Sequence, residues 1–206
     1  MNQQTQKTIV LCSISGMVCG ILLTYYGSCP GHLNASSALY ECQLMALRTP
    51  LKLNLHWINW LPGLLFGLVF AIANLTQKSG VVVFTLVSGV IYYLAGLIFA
   101  LFMSATDYHW TSVAIALLLI LGSIISGFFG AFTLVLIGKY LARIPFVFWK
   151  DIVTAAIGAF AGILFFGSFM LGIFIYPIAL WSLGFLIWQV WVGLSLTSAL
   201  QKPSPA

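Results

Sequence analysis

Long apolar blocks separated by short polar segments are the dominant pattern along this chain of 206 residues. A helix needs about 20 mostly apolar residues to cross the hydrocarbon core of a bilayer. None of the blocks contains Asp, Glu, Lys, Arg or His, so each of them can lie in lipid without burying an ionisable group. The six blocks cover approximately residues 8–26, 58–75, 81–104, 113–137, 152–175 and 178–199.

The last two blocks run together and predict a tight helical hairpin. One continuous helix of about 48 residues would be about 72 Å long, far more than the roughly 30 Å of a hydrocarbon core. Proline disfavours helix at the residue before it, so the chain is predicted to turn at Tyr176-Pro177. The pattern predicts an all-α fold: a polytopic integral membrane protein, with residues 1–206 forming a single bundle of six transmembrane helices.

The composition supports a membrane protein and argues against a nucleic-acid partner. Hydrophobic residues make up 62% of the chain and charged residues 5%, whereas soluble domains carry about 25% charged residues. The net charge of +5 comes from eight scattered Lys and Arg residues. Binding to a duplex needs cations clustered on one face.

The basic residues predict the orientation, because cytoplasmic loops are enriched in Lys and Arg. A cytoplasmic N-terminus leaves only Arg48 and Lys52 outside. Six spans return the C-terminus to the cytoplasm, and Tyr140 and Trp149 then lie at the inner interface. The predicted location is a bacterial inner membrane or its equivalent. The cytoplasmic cations in this topology are Lys7, Lys78, Lys139, Arg143, Lys150 and Lys202.

Pairs of small residues four apart predict how the helices pack. Helices in lipid associate through small residues that let their backbones approach closely. This motif fits either packing within the bundle or a homodimer seam. The pairs are Gly16 with Gly20, Gly63 with Gly67, and Gly158 with Gly162.

The most polar side chain in the last two blocks is that of Gln189. It is predicted to form a hydrogen bond with a neighbouring helix, and a ligand contact is the alternative. Cys12 and Cys19 lie in the first block, where buried cysteines usually behave as small hydrophobic residues.

The outer loop, residues 27–57, is predicted to be structured. Residues 35–47 have the apolar spacing of a short amphipathic helix on the membrane surface. Cys29 and Cys42 face an oxidising compartment in this topology and are predicted to form a disulfide. Closing a loop of this length would stabilise the fold by about 3 kcal/mol in the chain-entropy picture.

Most of the reactive side chains are predicted on the outer face. Asp107 and His109 could serve there as acid and base, or as metal ligands. Their spacing matches no zinc signature, so the sequence predicts neither a metal nor a cofactor. The outer polar cluster comprises His32, Glu41, His56, Asp107 and His109.

The sequence favours a non-catalytic accessory or assembly subunit that acts through its outer loop and its glycine-rich helix faces. Its predicted partners are the lipid bilayer and other membrane proteins or a second copy of the chain. Two alternatives stay open: a small permease or channel for an uncharged solute, and a membrane-surface enzyme or metal-binding protein using Asp107 and His109.

Overall fold

The computed structural model describes residues 3–26, 60–75, 77–104, 112–174 and 177–200, and its regular structure in these ranges is helical. Each helix falls on one of the six apolar blocks, so the predicted all-helical fold is confirmed. The helices are α1 (Gln3–Tyr26), α2 (Leu61–Asn74), α3 (Lys78–Ser104), α4 (Ser112–Ala142), α5 (Phe148–Phe174) and α6 (Pro177–Leu200).

Four stretches within the described helices are long and apolar enough to cross a membrane, as in an integral membrane protein. Helix α2 is apolar too, but its 14 residues are shorter than this length. At 1.5 Å per residue it extends about 21 Å. The four stretches are Gln3–Leu22, Lys78–Phe99, Leu117–Ala142 and Leu183–Leu200.

Each helix packs against the next one in the chain, and α1 packs against α6 to close the bundle. Helix α6 also touches α2 and α4, and it meets α3 where Trp188 lies edge-on to Tyr92, with ring centroids 5.6 Å apart. The described stretch of α6 is 50% buried, more than the 22–33% of the other three. Helix α6 therefore contains the most buried of the four stretches.

Small residues set the close approach of the α2–α3 and α4–α5 pairs. A methyl group on Gly67 would lie 2.6 Å from Cβ of Ser88 on α3, and one on Gly162 would lie 2.6 Å from the carbonyl oxygen of Ser123 on α4. Neither space can hold a side chain unless a backbone moves. Gly63 likewise faces α3, Gly158 faces α4 and Gly16 faces α6, while Gly20 is buried.

Aromatic side chains fill the space between α2, α3 and α6. Phe66 of α2 lies 5.5 Å from Trp188 and 5.8 Å from Phe70, measured between ring centroids. Phe70 in turn lies 5.3 Å from Phe84 of α3. Phe66, Phe70 and Phe84 are fully buried. Such ring pairs stabilise a fold by more than the burial of their apolar area alone. The bundle interior here is closely packed.

Candidate functional site

All the charged side chains that the structure describes lie at one end of the bundle, which we call the basic end. They are five cations and one acid, a formal surplus of four positive charges: Lys7, Lys78, Lys139, Arg143, Lys150 and Asp151.

Contacts between helix termini establish that these residues share one end. Near the start of α1, Gln4 donates to Asn74 Oδ1 at the end of α2, over 2.9 Å. Lys78 begins α3 a few residues later. Leu200, at the end of α6, lies against Gly138, the residue before Lys139 in α4. The start of α1 and the end of α6 therefore lie together beside the α4–α5 turn.

The α4–α5 turn contains a buried ion pair. Lys139 Nζ lies 2.7 Å from both carboxylate oxygens of Asp151 and forms its hydrogen bond with Oδ2. The two side chains are 4% and 0% exposed. Lys139 also donates to the carbonyl oxygen of Pro145, and Asp151 Oδ2 accepts the backbone N–H of Val147 just before α5. The pair therefore joins the end of α4, the turn and the start of α5.

Arg143 ends α4 in an unusual conformation. Its φ is 54°, in the left-handed region that favours glycine. Its N–H donates to the carbonyl oxygen of Tyr140, and the N–H of Ile144 donates to that of Lys139. These two bonds form a Schellman motif, in which the position of Arg143 is usually glycine. The chain places an exposed, charged side chain here despite that preference.

Exposed aromatic side chains flank Arg143 along the chain, on the last turn of α4 and the first turn of α5. Tyr140 is 82% exposed, Trp149 76% and Phe148 59%. The ring of Phe146 lies edge-on to Phe132 of α4 and to Phe148, and Phe148 lies edge-on to Trp149. An aromatic surface therefore continues from the side of α4 onto the turn, next to Arg143 and Lys150.

A second polar region is the seam between α1 and α6. Thr8, Ser15 and Cys19 are buried on one face of α1 and follow helical spacing. Gln189 of α6, fully buried, donates through Nε2 to Cys19 Sγ over 3.4 Å. Neither Gln189 Oε1 nor Ser15 Oγ has a hydrogen-bond partner. The seam thus leaves two buried polar atoms unsatisfied, which is unfavourable without a further ligand.

At the basic end of the same seam, the polar side chains of Thr8, Thr197 and Asn74 all form hydrogen bonds. Asn74 Nδ2 donates to Thr8 Oγ1 over 3.1 Å and to the carbonyl oxygen of Phe70. Thr8 Oγ1 lies 3.3 Å from Thr197 Oγ1 of α6 and 3.0 Å from the carbonyl oxygen of Gln4. Since the Thr8 hydroxyl has one proton, it donates to only one of these at a time. This network joins α1, α2 and α6 beside an open cleft of about 360 Å³ that includes Lys7 in its lining.

The predicted outer-face residues lie outside the described residues, and so does the predicted loop 27–57. This applies to the Cys29–Cys42 disulfide and to every member of the outer polar cluster: His32, Glu41, His56, Asp107 and His109. In the described helices, Cys12 and Cys19 are buried free thiols. No group of three or more His, Cys, Asp or Glu side chains within the described ranges is placed to hold a metal ion.

Neither a family model, nor a curated protein, nor a solved structure matches this chain.

Proposed function

We propose that this chain is a non-catalytic integral membrane protein, an accessory or assembly subunit with six spans and a cytoplasmic basic end. The observation that carries the proposal is the packed aromatic interior around α6. A pore or a carrier needs a path between its helices, and Phe66, Phe70 and Trp188 occupy that position among the described helices.

The orientation follows from the basic end. Its five cations and single acid agree with the positive-inside rule if this end faces the cytoplasm. Helix α1 begins there and α6 ends there, so both termini would be cytoplasmic. The outer loop, residues 27–57, would then lie on the opposite side of the membrane.

The outer loop is the surface we assign to a partner protein. Five of the six glycines of the predicted packing pairs face helices of the same chain, for example Gly63 and Gly67 against α3, and Gly20 is buried. A glycine face that already packs against a helix of the same chain is not available to bind a second protein. The partner contact is therefore assigned to the loop rather than to the glycine faces.

A permease for a small uncharged solute is the second candidate. The unsatisfied Ser15 Oγ and Gln189 Oε1 at the α1–α6 seam favour it, because a solute with hydrogen-bonding groups could satisfy both. The seam contains hydroxyl, thiol and amide groups, and its described ionisable groups are the thiols of Cys12 and Cys19, so it suits a neutral molecule.

Solute flux separates the two candidates. Purified protein in liposomes is mixed with hyperosmotic glycerol or urea, and reswelling is followed by light scattering. The accessory proposal expects reswelling at the rate of protein-free liposomes. A faster rate that Gln189→Leu abolishes, while Thr133→Ala on α4 does not, would establish the permease instead.

Crosslinking tests the partner surface directly. A photo-crosslinking residue replaces Leu39 or Leu44 in the outer loop of the full chain in its native membrane, and the adduct is identified by mass spectrometry. The matched control is the same residue at Val82, which is 59% exposed on α3. The proposal expects one defined membrane protein from the loop positions, absent from the control. Lipid adducts alone at every position would contradict it.

A further inference from the structure

From the α4–α5 turn we infer a binding surface for anionic phospholipid headgroups, formed by Arg143 and Lys150 within the exposed aromatic group of Tyr140, Phe148 and Trp149. The inference rests on the proposed placement of the bundle in a bilayer, but not on its orientation or on the accessory role. The basic end lies at one membrane surface whichever side it faces.

The charge of this turn is the first argument. Its one acid, Asp151, is fully buried and paired with Lys139, so neither of these charges reaches the surface. Arg143 and Lys150 are both exposed. The surface of the turn therefore presents two positive charges and no negative one within residues 139–151, which complements an anionic headgroup.

The conformation of Arg143 is the second argument. With φ at 54°, this position would be more stable with glycine, and an arginine there is an exception to the usual helix ending. An unfavourable backbone conformation at a residue other than glycine points to a role for its side chain. A guanidinium group can donate two parallel hydrogen bonds to a phosphate.

The aromatic side chains supply the third argument, because they indicate the occupant. Tyr and Trp are favoured at the headgroup level of a bilayer, where one part of the ring is apolar and the other hydrated. Tyr140 and Trp149 are the most exposed of the large hydrophobic side chains in the described helices. A soluble anion would make no favourable contact with this apolar surface, whereas a phospholipid has both a phosphate group and acyl chains.

The ion pair gives the surface its rigidity. Lys139 and Asp151 fix both ends of the turn, through the carbonyl oxygen of Pro145 and the N–H of Val147. The backbone that carries Arg143 and Lys150 is therefore held in place, so less backbone freedom is lost when these residues bind a headgroup.

Quenching by brominated lipid tests the inference on the full-length protein in detergent. The fluorescence of Trp149 is obtained as the difference between the wild type and Trp149→Phe, during titration with brominated phosphatidylglycerol or brominated phosphatidylcholine. We expect preferential quenching by phosphatidylglycerol. Arg143→Gly and Lys150→Gln should each reduce this preference about fivefold, the usual contribution of one interfacial cation.

Two controls make the result decisive. Lys78→Gln removes an exposed cation of the basic end outside the aromatic group and should leave the preference unchanged. Thermal unfolding without added lipid should show that Arg143→Gly is at least as stable as the wild type, because glycine suits the left-handed position. A lost preference in that variant then reflects a lost contact and not a damaged fold.

Several outcomes would overturn the inference. Equal quenching by the two lipids, or an equal effect of Lys78→Gln and Arg143→Gly, would show that no specific surface exists. Displacement of the lipid by inorganic phosphate at the same concentration would indicate a site for a free anion. None of these results bears on solute flux or on crosslinking from the outer loop, so failure here is distinguishable from failure of the proposed function.

Discussion

Lys139 and Asp151 are twelve residues apart in the chain and form a buried ion pair, with Nζ 2.7 Å from the carboxylate oxygens. A buried charge is tolerated when its partner and further hydrogen bonds satisfy it, and removing one partner commonly costs about 3–5 kcal/mol. Much of that cost is the penalty of leaving the other charge buried and unpaired.

The first prediction follows from this relationship. Lys139→Met and Asp151→Asn should each lower the free energy of unfolding by about 3 kcal/mol, measured by denaturation with sodium dodecyl sulfate in detergent micelles. The double variant should lose less than the sum of the two, by at least about 1 kcal/mol. Lys150→Met is the control and should change stability by less than about 0.5 kcal/mol, since it is exposed. Strictly additive losses would contradict a direct coupling.

The second prediction concerns Gly162, where α5 packs closely against Ser123 of α4. Gly162→Ala should destabilise the bundle by about 1–3 kcal/mol, because the methyl group would overlap the carbonyl oxygen of Ser123. Gly96→Ala on α3 is the same chemical change, but no atom lies within 4 Å of the new methyl group there. That control should be neutral or slightly stabilising, as alanine favours helix. Equal effects of the two substitutions would mean that α4 and α5 do not pack as described.

A third prediction tests the network at the basic end. Asn74→Ala removes the bonds that link α2 to Gln4 and Thr8 of α1. The expected loss is about 1 kcal/mol, within the range measured for hydrogen bonds between membrane helices. Thr133→Ala is the control, because that hydroxyl donates to Phe129 of its own helix. A loss for Asn74→Ala no larger than for the control would show that the network does not hold α1 against α2.

The fourth prediction concerns Cys12 and Cys19, both fully buried. In a Cys29→Ser/Cys42→Ser background these are the two remaining thiols of the chain's four cysteines. A membrane-permeant maleimide should label neither while the bundle is folded, and should label both after unfolding in sodium dodecyl sulfate. The readout is mass spectrometry of the intact protein.

The two cysteines also distinguish the candidate functions. Rapid labelling of Cys19 in the folded protein, with Cys12 still protected, would place water at the α1–α6 seam beside Gln189. That result would contradict the packed interior and support the permease.

The helices could be predicted because each coincides with an uninterrupted apolar block, which is the strongest pattern a sequence contains. Their ends were less predictable. The fourth block was expected to finish at residue 137, before the charge of Lys139, but α4 continues to Ala142. Lys139 can lie within the helix because its ammonium group is paired with the carboxylate of Asp151 and also donates to the carbonyl oxygen of Pro145.

The ion pair itself was not predicted from the sequence. From the sequence, Lys139 was expected only to mark the cytoplasmic side. An acid and a base on either side of a short turn containing Pro145 could have suggested a contact. Solvent-exposed charges often have the same spacing along the chain, however. Whether the pair is buried depends on how α4 and α5 cross, and the spacing of the two residues does not define that crossing.

The packing of α1 against α6 has a consequence for how the chain is made. Helix α1 is synthesised before α6, so during insertion Thr8 and Cys19 on the buried face of α1 have no α6 partner until α6 has left the ribosome. Until then those hydroxyl and thiol groups face lipid or a transient substitute. A chain stopped before α6 would therefore be an incomplete bundle whose α1 exposes these polar groups on an open face.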